Sequence, residues 1–281
     1  MDKMSEITFQ EEYKPRLKLL HSTSNLLANR KIRKLISPIG IIILWEIISR
    51  SGHVALYILP TPSTIGYTLF HLLISGELLP HIYISLIRSL IGFALGSILG
   101  IILGIGIGWS KFVEDIVDVP VQLLRAVPKS ALIPLIIIWL GLGETSKIFM
   151  VALPPFFLTL INTISGVKGV DLIMIKAARS LGASDRKILK EIVIPSAGPI
   201  IFAGLRNGIV VSMVLLVIAE MIAADRGLGY FILETQCFWL TERMFAGIMI
   251  ISFIGFAFDW TVLFAEKKII KWHRGKTIET V

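Results

Sequence analysis

The 281-residue sequence predicts an all-α fold, a polytopic membrane helical bundle with about six transmembrane helices. Three observations predict it. Hydrophobic residues make up 54% of the chain and charged residues only 17%, where a soluble domain carries about a quarter; the mean hydropathy is +0.79. The apolar residues fall in blocks long enough to cross about 30 Å of hydrocarbon at about 1.5 Å per residue. Lys and Arg lie between and beside those blocks, not on one soluble face.

The first block, about Leu35 to Ser51, is the shortest. A second covers about Ile84 to Trp109 and is almost uncharged. The third runs from about Val117 to Leu142, the fourth from about Ile148 to Ser165, the fifth from near Pro195 to near Ala224. The sixth spans about Phe245 to Ala265. The chain therefore divides into a basic segment 1–34, a transmembrane domain 35–265 and a basic tail 266–281. A long polar stretch precedes the first block, the wrong order for a cleaved signal peptide, so insertion is expected to begin with the first span.

Cations orient the bundle. Lys3, Lys14, Arg16, Lys18, Arg30, Lys31, Arg33 and Lys34 precede the first span, and Lys267, Lys268, Lys271, Arg274 and Lys276 follow the last. The connection between the fourth and fifth spans carries Lys168, Lys176, Arg179, Arg186, Lys187 and Lys190, whereas Gly52–Tyr83 carries no Lys or Arg. An even number of spans puts all three basic regions on one side, the cytoplasm by the positive-inside rule. The same placement explains the net charge of +8 by lipid headgroups, and no nucleic-acid partner is expected.

Within the second span Gly92, Gly96, Gly100, Gly104 and Gly108 recur every four residues and form one bare face. That face suits close helix packing within the chain, or a seam that slides during gating. Pro120, Pro128 and Pro134 in the third span and Pro154–Pro155 in the fourth each remove a backbone donor. Such helices belong inside a bundle or along a water path.

The connection Lys176–Pro195 reads KAARSLGASDRKILKEIVIP and is too polar to span. Apolar residues at Leu172, Ile173, Ile175, Ala178 and Leu181, then Ile188, Leu189 and Ile192, fit two short helices. Gly182 ends the first, Ser184 N-caps the second, and Pro195 opens the fifth span. Small Ala177 and Ala178 would let the first helix enter a partner's groove.

Here the sequence resembles the EAA loop of bacterial ABC import permeases. Two alanines, a glycine four residues after the second, an Ile ten residues later and a Pro three beyond match Ala177, Ala178, Gly182, Ile192 and Pro195. Lys176 departs from the family's leading glutamate. The resemblance covers about Leu59 to Ala265, with LPTP at Leu59–Pro62, Arg125–Ile148 and Ala219–Ile232 similar to the branch serving sulfonate, taurine, nitrate and bicarbonate. Relatives of that branch carry pyrimidine-type vitamin precursors, the alternative substrate.

The resemblance implies a type I-like importer permease fold whose coupling loop 168–195 docks on an ATPase through Lys176, Ala177, Ala178, Gly182, Ala183, Ile192 and Pro195. It implies two ATPase copies, an extracytoplasmic substrate-binding protein, and a second permease copy forming a homodimer. The location implied is the cytoplasmic (inner) membrane, with both termini cytoplasmic. No cofactor is expected in this chain, ATP and Mg belonging to the ATPase.

Charged residues within spans are functional candidates because they are costly in lipid. Arg125 and Arg206 are placed to snorkel to headgroups, and Glu46 and Asp259 to pair with cations on other helices. Glu220, in the segment AEM, is the substrate-path candidate, weighed against holding its helix end. The sequence holds no G-x-x-x-x-G-K-[ST], so ATP hydrolysis is expected elsewhere. His21, His53, His71, His81 and His273 are scattered, Cys237 is the single cysteine, and no metal site is expected. An ion-gradient-driven transporter would call for internal repeats with paired broken helices, which the halves lack. A membrane enzyme would need a polar cluster that is also missing.

Overall fold

The computed structural model describes residues 30–270, and among them every regular element is helical. The basic segment up to residue 29, the tail from Lys271, His21 and His273 lie outside the described residues. The chain forms two compact units, meeting in sequence between Tyr67 and Thr68.

In the first unit, α1 (Arg30–Arg50) contains the first predicted span. Glu46 accepts a hydrogen bond from Arg50 Nε at 2.6 Å, one turn along the same helix, and so pairs within its own helix instead of with a cation on another. It also accepts from Ser63 N–H at 3.1 Å and Ser63 Oγ at 2.8 Å, in the first turn of α2 (Pro62–Ile74). A carboxylate suits that position, because a helix N-terminus presents unsatisfied donors. Thr61 Oγ1 accepts from Thr64 N–H at 3.2 Å, so LPTP is a capped helix start with Pro62 in the first turn.

The second unit contains α3 (Leu79–Trp109), α4 (Lys111–Ala126), a 3-10 turn (Lys129–Leu132) leading into α5 (Ile133–Leu140), and α6 (Glu144–Lys168). It continues with α7 (Leu172–Ser180), α8 (Asp185–Ala223), α9 (Leu228–Cys237) and α10 (Thr241–Ile269). The helices α3, α6, α8 and α10 are each long and apolar enough to cross a membrane. They contain the second, fourth, fifth and sixth predicted spans. Helix α1 carries Arg30, Lys31, Arg33, Lys34, Glu46 and Arg50 along 21 residues, so its apolar run is the weakest of the set.

The third predicted span is not one helix. It breaks between α4 and α5 with a bend of 88°. Val127 is extended (φ −68°, ψ 125°), as a residue before proline tends to be, and Pro128 starts the new direction. Pro134 falls in the first turn of α5, where its missing N–H costs nothing, and Pro120 lies within α4 without ending it.

The glycine stripe is a packing face within the chain. A Cβ on Gly92 would lie 2.7 Å from Val151, on Gly100 2.7 Å from the Phe156 carbonyl, and on Gly108 2.8 Å from Val167. Gly96 abuts the Ala152 carbonyl and Gly104 faces Thr163. An adjoining face of α6, sharing Pro155 and Thr159, receives α8, where Gly204 faces Leu158 and Asn162, and Gly208 faces Pro155. Helix α6 thus packs closely against two glycine faces, with its two prolines buried.

Candidate functional site

Two constellations lie at opposite ends of α6 and α8. One is the hairpin after α6, and the other is a charge network joining α3, α6 and α8, buried at Arg88, Lys147 and Glu220.

The hairpin starts with Asp171, whose Oδ1 accepts from Ile173 N–H at 2.8 Å and caps α7. Its end is a Schellman turn. Ala183 N–H donates to Ala178 O at 3.0 Å and Gly182 N–H to Arg179 O at 2.9 Å, with Gly182 at φ +81°. A side chain at Gly182 would be strained by that backbone conformation, although open space surrounds it. Ser184 stands at the N-cap position of α8 but its side chain makes no capping bond. Arg179 Nη2 instead ties to Asp185 Oδ1 across the turn at 3.0 Å.

The second hairpin helix is not short, and Pro195 does not open a new one. Helix α8 runs for 39 residues, about 58 Å at 1.5 Å per residue. Residues Leu189–Val193 form a π turn directly before Pro195. A proline in an α-helix lacks a donor and clashes with the carbonyl four residues back, and the widened turn absorbs both effects.

The apolar residues of α7 divide by face. Ile175 and Ala178 pack with Ala183, Ile188, Leu189 and Ile192 in the hairpin's own core. Leu172, Ile173 and Leu181 are exposed, Leu181 to 88%. Of the predicted coupling residues, Lys176, Ala177 and Gly182 are exposed, while Ala178, Ala183, Ile192 and Pro195 are half-buried. The first group is surface available to a partner; the second holds the turn in shape. At this end Lys168, closing α6, pairs with Glu114 of α4.

At the other end Arg88 of α3 is 1% exposed and Glu220 of α8 is 0% exposed. Arg88 Nη1 donates to Glu220 Oε1 at 2.9 Å and to Arg226 O at 2.7 Å. Its Nε and Nη2 donate to the two oxygens of Glu144 at 2.7 and 2.6 Å. Lys147 adds a bond to Glu144 at 3.0 Å, so two cations face two carboxylates. Glu220 also accepts from Ser85 Oγ at 2.7 Å and Gly229 N–H at 2.8 Å, and Ser85 Oγ accepts from Leu228 N–H at 2.8 Å. Gly227, at φ +133°, lies against the Glu220 carboxylate with no room for a Cβ, and its N–H reaches His81 Nδ1 at 3.2 Å.

Glu220, the predicted substrate-path candidate, therefore has both oxygens occupied by the chain itself, and they fix the turn 224–229. Sequence reasoning passed over Arg88, Glu144 and Lys147. Arg88 within a long apolar block was the available signal, since an arginine there requires partners. Arg206 and Asp259 also resolve into a pair, with Nε–Oδ1 at 2.8 Å and Nη2–Oδ2 at 3.1 Å between α8 and α10. Asp259 thus finds its cation on another helix, and Arg206 is held by a carboxylate in place of headgroups.

Among the described residues no group of three or more His, Cys, Asp or Glu side chains is placed to hold a metal ion.

Comparison with known proteins places this geometry. The family model described as binding-protein-dependent transport system inner membrane component matches residues 96–271. The putative aliphatic sulfonates transport permease protein SsuC of Bacillus subtilis (strain 168) is 39% identical over 241 residues, covering 86% of this chain and 87% of that protein. The taurine transport system permease protein TauC of Escherichia coli (strain K12) is 36% identical over 193 residues, covering 69% and 70%. A chain from the MetNI methionine ABC transporter, solved in inward-facing conformations, shares the fold with a TM-score of 0.58 at 14% identity, covering 68% of this chain and 95% of that one.

Proposed function

The chain belongs to the family of binding-protein-dependent transport system inner membrane components, and on that premise we propose that it moves a small organic sulfonate inward across the cytoplasmic membrane. It is the membrane-spanning permease subunit of an ABC importer, a transport subunit and not an enzyme, and ATP is hydrolysed by a separate ATPase. The family implies an ATPase and a substrate-binding protein as partners. Membership displaces the ion-gradient-driven alternative. The sulfonate reading rests on the relatives named for aliphatic sulfonates and for taurine.

In this reading two copies of the chain enclose the path as a homodimer, with two ATPases carrying ATP and Mg beneath the hairpins. Both termini and the hairpin face the cytoplasm. Lys176, Ala177 and exposed Leu181 meet the ATPase, and Gly182, Ala178, Ala183, Ile192 and Pro195 fix the hairpin that transmits its closure. Glu220 pins the outer turn and does not contact the solute. The observation that carries the coupling role is the Schellman-closed hairpin continuous with α8. Movement of α7 is thereby delivered to a helix that crosses the membrane.

The test is ATP-dependent uptake of ethanesulfonate by vesicles containing permease, ATPase and a sulfonate-loaded binding protein. Uptake is expected with the native chain and abolished by Gly182→Val, with the ATPase still hydrolysing ATP but no longer responding to the loaded binding protein. Normal uptake by Gly182→Val rejects the coupling role. Absence of uptake by the native chain rejects the sulfonate.

A further inference from the structure

Helix α4 has no buried residue. Its exposed polar residues Lys111, Asp115, Asp118, Gln122 and Arg125 are separated by four, three, four and three positions. At 3.6 residues per turn they make one stripe, beside an apolar stripe of Phe112, Ile116, Val119 and Leu123. Because α4 is half of a membrane-crossing pair, a charged stripe there needs water or partners. Asp118 is held by Gln122, whose Nε2 donates to Oδ2 at 2.8 Å. The Arg125 guanidinium has no hydrogen-bond or ion-pair partner among the described residues.

Arg125 borders a cavity of about 260 Å³ between α4 and α6. Asp118, Gln122 and Ser165 line it with Arg125, and Val121, Ile161 and Ile164 supply apolar wall. The volume is below the roughly 300–1,000 Å³ of sites for drug-sized ligands, which suits a short-chain solute. A sulfonate carries one negative charge on three acceptor oxygens and has no donor, so it calls for a cation and N–H or O–H groups. A guanidinium offers two parallel donors to such an oxyanion.

We propose that Arg125 is a specificity-determining residue of the transport path, receiving the sulfonate group while Gln122 and Ser165 donate to it and the alkyl chain lies on Val121, Ile161 and Ile164. Asp118, in the same wall two turns back and about 10 Å along the axis, takes one Gln122 N–H and repels an anion from its own end of the cavity, towards Arg125. This assignment rests on the sulfonate reading above and adds a site to it.

Two measurements test it. Ethanesulfonate uptake by Arg125→Gln is expected to fall about 10- to 100-fold, the loss typical of a charged hydrogen bond, and Arg125→Lys to fall less. Leu123→Ala, on the apolar stripe, should transport normally. Second, a thiol introduced by Ser165→Cys with Cys237→Ser should be labelled more slowly in the presence of ethanesulfonate, but not of uncharged ethyl methyl sulfone. Adding Arg125→Gln should remove that protection. Native-rate uptake by Arg125→Gln, or protection that survives it, overturns the assignment alone. If the native chain takes up no ethanesulfonate, the sulfonate reading and this site fall together. Should Arg125→Gln fail to assemble with the ATPase, Arg125→Lys decides: weakened protection supports the site and undiminished protection overturns it.

Discussion

Arg88 and Glu220 illustrate what single residues reveal and conceal. Each is costly in an apolar interior, and together with Glu144 and Lys147 they make a neutral set whose donors and acceptors are largely used. The partners stand 56 and 132 positions from Arg88, so no local pattern announces them. The glycines around Glu220 were readable as part of a family-like segment, but their reason is spatial: Gly227 and Gly229 clear the space that lets backbone approach the carboxylate. Glu220→Ala leaves Arg88 short of a partner and should destabilise the detergent-solubilised protein by about 3–5 kcal/mol. Removing both charges, as in Arg88→Met with Glu220→Ala, should cost less than the sum of the two single changes. Thermal unfolding of the four proteins measures this; an unshifted midpoint for Glu220→Ala would contradict a structural role.

Among the helices, long apolar runs locate α3, α6, α8 and α10 but start them late, and the ten residues before Pro195, expected as a separate hairpin helix, are the first turns of α8. The first turns of α6, α8 and α10 are rich in charged residues, and hydropathy stops where lipid stops although hydrogen bonding continues. The break at Pro128 could not be singled out from Pro120 and Pro134, since only the extended Val127 distinguishes it. The glycine stripe was recognised, and the structure supplies its partner, α6. Gly96 and Gly106 lie on the same helix and differ in surroundings: the first abuts the Ala152 carbonyl, and the second has nothing within 4 Å. Gly96→Val should therefore push α3 off α6, costing about 1–3 kcal/mol or more and lowering the yield of folded protein. Gly106→Val should be tolerated. Equal behaviour of the two in thermal stability would mean that the seam does not depend on close approach.

The whole molecule places the hairpin and the buried network at opposite ends of α6 and α8. Helix α8, about 58 Å long, exceeds the roughly 30 Å of hydrocarbon by far, so one end must project into water. Its Asp185 end carries Arg186, Lys187 and Lys190, with Arg179 of α7 beside it, and by the positive-inside rule that projection is expected in the cytoplasm. In that orientation the network end, with Arg88, Glu220 and the turn into α9, is expected to face outward. Cys237 closes α9 near that end and is exposed, a built-in reporter of the orientation. In intact cells or right-side-out vesicles, an impermeant maleimide should label native Cys237 without permeabilisation. A cysteine introduced by Lys187→Cys with Cys237→Ser should be labelled only after the membrane is opened. If Lys187→Cys reacts from outside and Cys237 does not, the bundle is inverted and the hairpin faces away from any cytoplasmic ATPase. Such an outcome would leave the helices, the glycine seam and the charge network unchanged while removing the coupling role from loop 168–195.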